Sequence, residues 1–258
     1  MRIRRLFLNR LDSDHEPEDT VIVIDVLRSF TTAAYAFAAG ATTIYPVETI
    51  SGAHRLLQRI PNAVTTGAIG GGDPIPGFDF GNSPLAIQGF DFTGRPVIQT
   101  TAAGVRGLNR FRKARALFAS SLVLGRATAR AVHELAPEEV CFVITGEWVD
   151  RDGDEDIACA DYVESLLRGE RPDPEIFAAR VRDSDFGRRF LAGTNVNLPT
   201  GDLHLCAETD RFDFALRASY QDQQLRLDVH RPMHHEFSQP AYQTGEPIAP
   251  VHLQAMTV

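Results

Sequence analysis

Four short stretches of the chain combine residue types that can hold an oxyanion beside a cation. The apolar run Val21-Ile22-Val23-Ile24 ends in Asp25, and Arg28 follows within one helical turn. Gly77-Phe78-Asp79-Phe80-Gly81-Asn82-Ser83-Pro84 puts three polar side chains among glycines and a proline. Thr100-Thr101 runs into Ala102-Ala103-Gly104-Val105-Arg106, and Glu155-Asp156 follows an acidic, glycine-containing segment. Carboxylates are hard oxygen ligands for a divalent cation. An arginine can fork onto phosphate or sulfonate, and glycine amides at a helix start receive phosphate oxygens.

Each stretch also has a plainer reading. Asp25 can be a helix N-cap, and Arg28 a surface ion pair. Asp79 and Asn82 can bond local amides in a rigid turn. Glu155-Asp156 can be favourable charge at a helix N-terminus. Thr100-Thr101 precedes a helix start but is not a P-loop, because no GxxxxGK[ST] occurs. Other chemistries find less support. No GxSxG elbow is present. A haloacid-dehalogenase-type phosphatase would carry a second acid two residues after Asp25, where Leu27 stands. Cys141, Cys159 and Cys206 are far apart with no CxxC pair, which fits reduced thiols, with Cys159 a packing residue. His230, His234 and His235 read as a loose group in a solvated tail.

The intervening sequence supplies elements to position these stretches. Val21 to Asp25 reads as a buried central strand, Ala116 to Ser120 as a strand and Val140 to Thr145 as another apolar strand. Ala41 to Val47, Ala63 to Thr66 and Pro96 to Thr101 read as further strands. Helices are predicted for Ser29 to Ala39 with a stop at Gly40, Thr49 to Ile60, Ala103 to Arg110, Gly125 to Leu135 and Asp156 to Leu167. Further helices are predicted over Pro174 to Arg182, Asp185 to Ala192 and near Asp202 to Glu208. Gly67 to Pro84 reads as a long functional loop. From Asp222 the chain turns polar, predicting an edge strand, a wrapping arm or an interface segment.

Repeated strand–helix units predict an α/β fold with a largely parallel sheet and helices on both faces. Ligands of such sheets bind beyond the carboxyl ends of strands, where Asp25, Thr101 and the residues after Ile144 are expected. With 258 residues, the chain suits one large domain. A net charge of -8 disfavours nucleic acid or an anionic membrane as partner. No apolar run approaches the roughly 20 residues of a membrane span, so a cytoplasmic location is expected. A homodimer is left open.

Taken together, the stretches Val23 to Thr32, Gly77 to Pro84, Thr100 to Arg106 and Glu155 to Ala160, with the late Cys206, resemble the 2-phosphosulfolactate phosphatase family. The likeness covers roughly Val21 to Phe214 and leaves 222–258 as a tail. It implies a three-layer α/β/α fold with a mixed, largely parallel sheet. It also implies a Mg²⁺-dependent phosphatase that cleaves 2-phosphosulfolactate to sulfolactate and phosphate on a coenzyme M route. Under that resemblance Asp25, Glu155 and Asp156 hold Mg²⁺, while Arg28 and Arg106 orient a small anionic phosphate ester. Thr100, Thr101 and the Gly104 amide contact its oxygens, with Asn82 and Ser83 in the same pocket. Asp79 completes the metal shell or acts as general base. Two positions depart from the family pattern: Gly67-Ala68-Ile69 replaces Gly-Glu-Arg, and Ala102 or Ala103 replaces an asparagine. These departures motivate two alternatives, a binding protein without hydrolysis and a phosphatase of a different ester.

Overall fold

The computed structural model describes residues 1–11 and 19–233. The strand that delivers Asp25 is β2 (Thr20–Ile24), buried at all five positions. It lies between β8 (Ala116–Ser120) and β9 (Glu139–Ile144), parallel to both. Flanked on both sides, it can be apolar throughout, as the sequence predicts. On the far side of β9 lies β1 (Arg2–Phe7), also parallel. A second parallel block is formed by β3 (Ile44–Pro46), β7 (Val97–Thr100), β4 (Val64–Ile69) and the two-residue β6 (Phe80–Gly81).

The blocks are joined by an antiparallel hairpin, β10 (Ala215–Gln221) and β11 (Gln224–His230). β10 pairs with β8, and β11 with β3. With β5 (Asp73–Pro74) turned back on β4, the described residues form an 11-stranded mixed, mostly parallel sheet. Of the residues from Asp222, the described ones therefore make neither an edge strand nor a wrapping arm. Leu225 and Leu227 alternate into the core, 2% and 0% exposed, and Gln224–His230 becomes an interior strand. His234 and His235 lie outside the described residues. The expected loop over 67–84 also carries more order than a loop, since β5, β6 and the end of β4 fall within it.

Side chains on β2 alternate between two apolar layers. Ile22 and Ile24 enter the first, where Phe118, Phe142 and Ile144 meet α5 (Gly125–Glu134) and α6 (Asp154–Leu167). The same layer takes residues from α7 (Pro174–Asp183), α8 (Asp185–Leu191) and α9 (Thr200–Cys206). Val21 and Val23 enter the second, with Leu117, Leu216 and Leu227, against Phe30, Ala33, Ala34 and Phe37 of α1 (Ser29–Ala38). Leu108 of α4 (Gly104–Arg110) joins it. The result is the three-layer α/β/α arrangement.

Helix α1 is buried nearly all round, which its small Ala, Ser and Thr residues permit. It stops at Gly40, whose φ of +101° suits glycine. Helix α2 (Ile50–Leu57) is capped by Thr49, which accepts from the Gly52 amide at 3.1 Å. The short α3 (Pro84–Ile87) is capped by Ser83. Among the described residues, no helix is long and apolar enough to cross a membrane.

Candidate active site

Asp25 leaves the end of β2 at the start of α1, only 6% exposed. One carboxylate oxygen accepts from the Ser29 amide at 3.0 Å and the other from the Gly104 amide at 2.9 Å. A single carboxylate thus receives amides from the first turns of α1 and α4. It acts as a cap, yet each oxygen keeps a lone pair. A side chain at 104 would strike it, because an added Cβ would lie 2.9 Å from Asp25 Oδ2. Burial raises the proton affinity of Asp25, opposed by the Ser29 and Gly104 amides and the charge of Arg151.

Glu155 and Asp156 open α6 behind Asp25. Asp156 accepts from the amides of Val26 at 2.8 Å, Thr145 at 3.0 Å and Gly146 at 2.7 Å. The Thr145 hydroxyl adds a fourth bond at 3.2 Å. Asp156 therefore ties the ends of β2 and β9 to α6, with three donors already on one oxygen. Burial, then Glu155, then Asp25 push its carboxyl well above the usual range. Glu155 is 1% exposed, and its Oε2 has no hydrogen-bond partner. Burial pushes it up to about 7, opposed by a backbone amide and Arg151, while Asp152 adds to the rise.

That displacement has a sign in stability. A carboxyl bound more tightly to its proton in the folded state stabilises the fold fully below its ordinary value, 4.5, and loses this as pH rises through about 7. Without divalent cations, stability is expected to fall across that window by about 3 kcal/mol from this group. Urea titrations at pH 4.5 and pH 8 check it. Glu155→Gln should flatten the fall, and an unchanged slope would count against the burial argument.

A cavity of about 120 Å³ opens in front of Asp25. Asp25, Arg28, Asn82 and Thr101 line it together with Ser29, Ala68 and Arg151. Ser29 donates to the Thr101 hydroxyl at 2.7 Å, joining α1 to the end of β7. Asn82 Oδ1 is buried without a partner. Arg28 is 4% exposed and donates to Asp202 at 2.6 Å and to the Asn197 carbonyl at 2.9 Å. The surface ion pair considered for Arg28 is instead a buried one.

Other expected residues fall elsewhere. Asp79 is exposed and absent from the cavity wall. One of its oxygens accepts from the Thr65 amide and hydroxyl, both at 2.8 Å, so it braces the loop to β4 and does not face Asp25. Ser83 caps α3 and donates to Asp202 at 2.7 Å, which leaves its hydroxyl spent on the fold. The Gly104 amide serves Asp25, not a phosphate. The Thr100 hydroxyl is buried without a partner and does not line the cavity. Arg106 lies two residues beyond Gly104, about 200° round the helix. It consequently packs on Trp148, 6.0 Å from the ring centre, and lines a separate basin of about 300 Å³ with Glu48 and Lys113. Cys159 is fully buried with its thiol pushed well up by burial, as a packing residue would be.

The sequence reading missed Arg151, Asp202 and Phe186. Arg151 carries no motif and sits in an acidic loop. Asp202 gains its meaning only from Arg28, 174 residues away.

The sequence model described as 2-phosphosulpholactate phosphatase matches residues 7–219. The chain belongs to the 2-phosphosulpholactate phosphatase family. Its relatives include the "Probable 2-phosphosulfolactate phosphatase" of Bacillus subtilis (strain 168), 32% identical over 202 residues, which are 78% of this chain and 87% of that protein. A protein of the same name from Carboxydothermus hydrogenoformans is 32% identical over 225 residues, covering 83% of this chain and 92% of the relative. A third, from Thermoplasma volcanium, is 31% identical over 192 residues, covering 74% and 85%. For this member of the family, the matched region contains the whole cavity wall and stops inside β10, so β11 completes the sheet beyond it.

Proposed function

We propose that the chain is a Mg²⁺-dependent phosphatase that hydrolyses 2-phosphosulfolactate to sulfolactate and phosphate. One observation carries this reading: the buried carboxylate of Asp25 and two arginines, Arg28 and Arg151, line a single cavity, while Asp156, which bonds the Val26 amide, and Glu155 are buried outside its wall. The ester named by the relatives carries phosphate, sulfonate and carboxylate, and such a multiply anionic ligand needs concentrated positive charge.

The donor set suits a hard cation. Glu155 Oε2 is buried and unpartnered, and Asp25 keeps lone pairs on both oxygens. Among the described residues, no three His, Cys, Asp or Glu side chains are grouped to hold an ion. Mg²⁺ does not require such a cage, since one or two carboxylates with water and substrate oxygens suffice. Asp25 and Glu155 would hold the ion, and Asp156, with its oxygens bonded to amides, would fix both ends of the site. The bound ion would neutralise charge on the transferring phosphoryl group. Arg28, clamped by Asp202, orients the anionic substrate. The Ser29 and Thr101 hydroxyls and Asn82 supply polar contacts at the wall.

Phosphate release from 2-phosphosulfolactate, measured with Mg²⁺ and with excess EDTA, tests this. Turnover should appear with Mg²⁺, vanish with chelator and return on adding the ion. No release with Mg²⁺ from this ester or from a panel of phosphorylated hydroxy acids would overturn it.

A further inference from the structure

The two cavity arginines are held in different ways by one helix. The Arg28 guanidinium lies over the Phe190 ring at 5.4 Å, and that of Arg151 over Phe186 at 4.7 Å. These rings stand edge to face at 5.4 Å, one turn apart on α8. The helix thereby fixes the positions of both cations. Arg28 has spent Nη1 on Asp202 and the Asn197 carbonyl. Arg151 has not been spent in this way. Its ion pair with Asp150 spans 3.9 Å, and its Nε is buried without a partner. Arg151 shares the cavity wall with Asp25 and stands on the loop that leads into α6 and Glu155. Arg28 lies at the Asp202 end.

We propose that Arg151 is a catalytic residue that binds the phosphoryl oxygens, and that Arg28 reads the acid group on the remainder of the substrate. This division rests on the phosphatase reading above. The phosphoryl group would sit beside the carboxylates that would hold its neutralising ion, and of the two arginines that share the cavity with Asp25, Arg151 is the one with unspent N–H groups. A guanidinium with unspent N–H groups can tighten on charge as it develops, and so acts on kcat. Arg28, locked by Asp202, offers the same contact to ground state and transition state, and so acts mainly on KM.

Calorimetric titration with inorganic phosphate and, separately, with sulfolactate tests the assignment without needing turnover. In Arg151→Gln, affinity for phosphate should fall about tenfold or more while that for sulfolactate stays within about twofold. In Arg28→Gln the pattern should reverse. With 2-phosphosulfolactate as substrate, Arg151→Gln should lose about a hundredfold in kcat, and added guanidinium should restore part of the activity of Arg151→Ala. Arg151→Lys, which keeps charge without the fork, guards against a folding defect and should retain an intermediate phosphate affinity. Phosphate affinity unchanged in Arg151→Gln, or sulfolactate affinity lost in its place, would overturn the assignment. A wild type that binds phosphate through Arg151 yet hydrolyses nothing would support it while removing the phosphatase reading.

Discussion

Asp25→Asn is expected to reduce kcat by about a thousandfold and, separately, to cost about 1–3 kcal/mol of stability. That carboxylate is a cap in the structure and, under the proposed mechanism, also a ligand of the cation. As a cap it accepts the Ser29 amide at 3.0 Å and the Gly104 amide at 2.9 Å, one on each oxygen. Asparagine offers one acceptor, and its NH₂ would be set against the other buried amide donor. Stability must therefore fall whatever the chemistry. Only the ionised carboxylate can help hold a divalent cation, so the loss of turnover should greatly exceed what unfolding explains. The check is kcat per folded molecule at a temperature well below the variant's Tm, with the folded fraction taken from circular dichroism. If that figure lies within about tenfold of wild type, Asp25 is a cap alone and leaves the mechanism.

Asp202→Ala is expected to be the most destabilising single change near the site, at about 3–5 kcal/mol. The side chains of Arg28 and Asp202 are 4% and 0% exposed, with 2.6 Å between them. Removing the acid strands a buried guanidinium. It also strips the acceptor from the Ser83 hydroxyl at 2.7 Å and the Leu85 amide at 2.9 Å, so α3 loses its anchor to α9. Arg28→Met combined with Asp202→Leu should cost less than Asp202→Ala, since no unpaired charge remains buried. Urea midpoints of the three variants decide the matter. A loss below about 1 kcal/mol for Asp202→Ala would show that water reaches the pair and that Arg28 is not rigidly held.

These two residues mark where the sequence was legible and where it was not. Asp25 could be found because a strand buried on both faces is a continuous apolar run, and parallel sheets place chemistry just beyond such runs. The same reasoning located β8, β9 and the start of α4. It failed for β1, whose Arg-Ile-Arg-Arg-Leu-Phe has no apolar alternation. That edge strand is tied down by ions, with Arg4 on Glu139 at 3.2 Å and Arg5 on Asp161 and Glu164, each at 2.5 Å. For β11 it allowed an edge strand but missed the interior position, because the polar residues between Leu225 and Leu227 masked their alternation. In the site, carboxylates adjacent to strand ends were legible because they are local to an element. Arg151 and Asp202 were not, because each acquires its role from a partner brought near only by the fold. Asp79 misled for the opposite reason: its neighbours along the chain suggested a pocket, while its oxygen bonds Thr65 across the sheet.

The hairpin of β10 and β11 also bears on how the protein can be made. It is the last described element to leave the ribosome, and among the described residues it alone bridges β8 to β3. Until it emerges, a nascent chain carries two half-sheets with open hydrogen-bonding edges, the kind of surface that pairs with other chains. Closure of the vulnerable interior therefore waits for Ala215 to His230, so chaperone protection matters most before that segment is released.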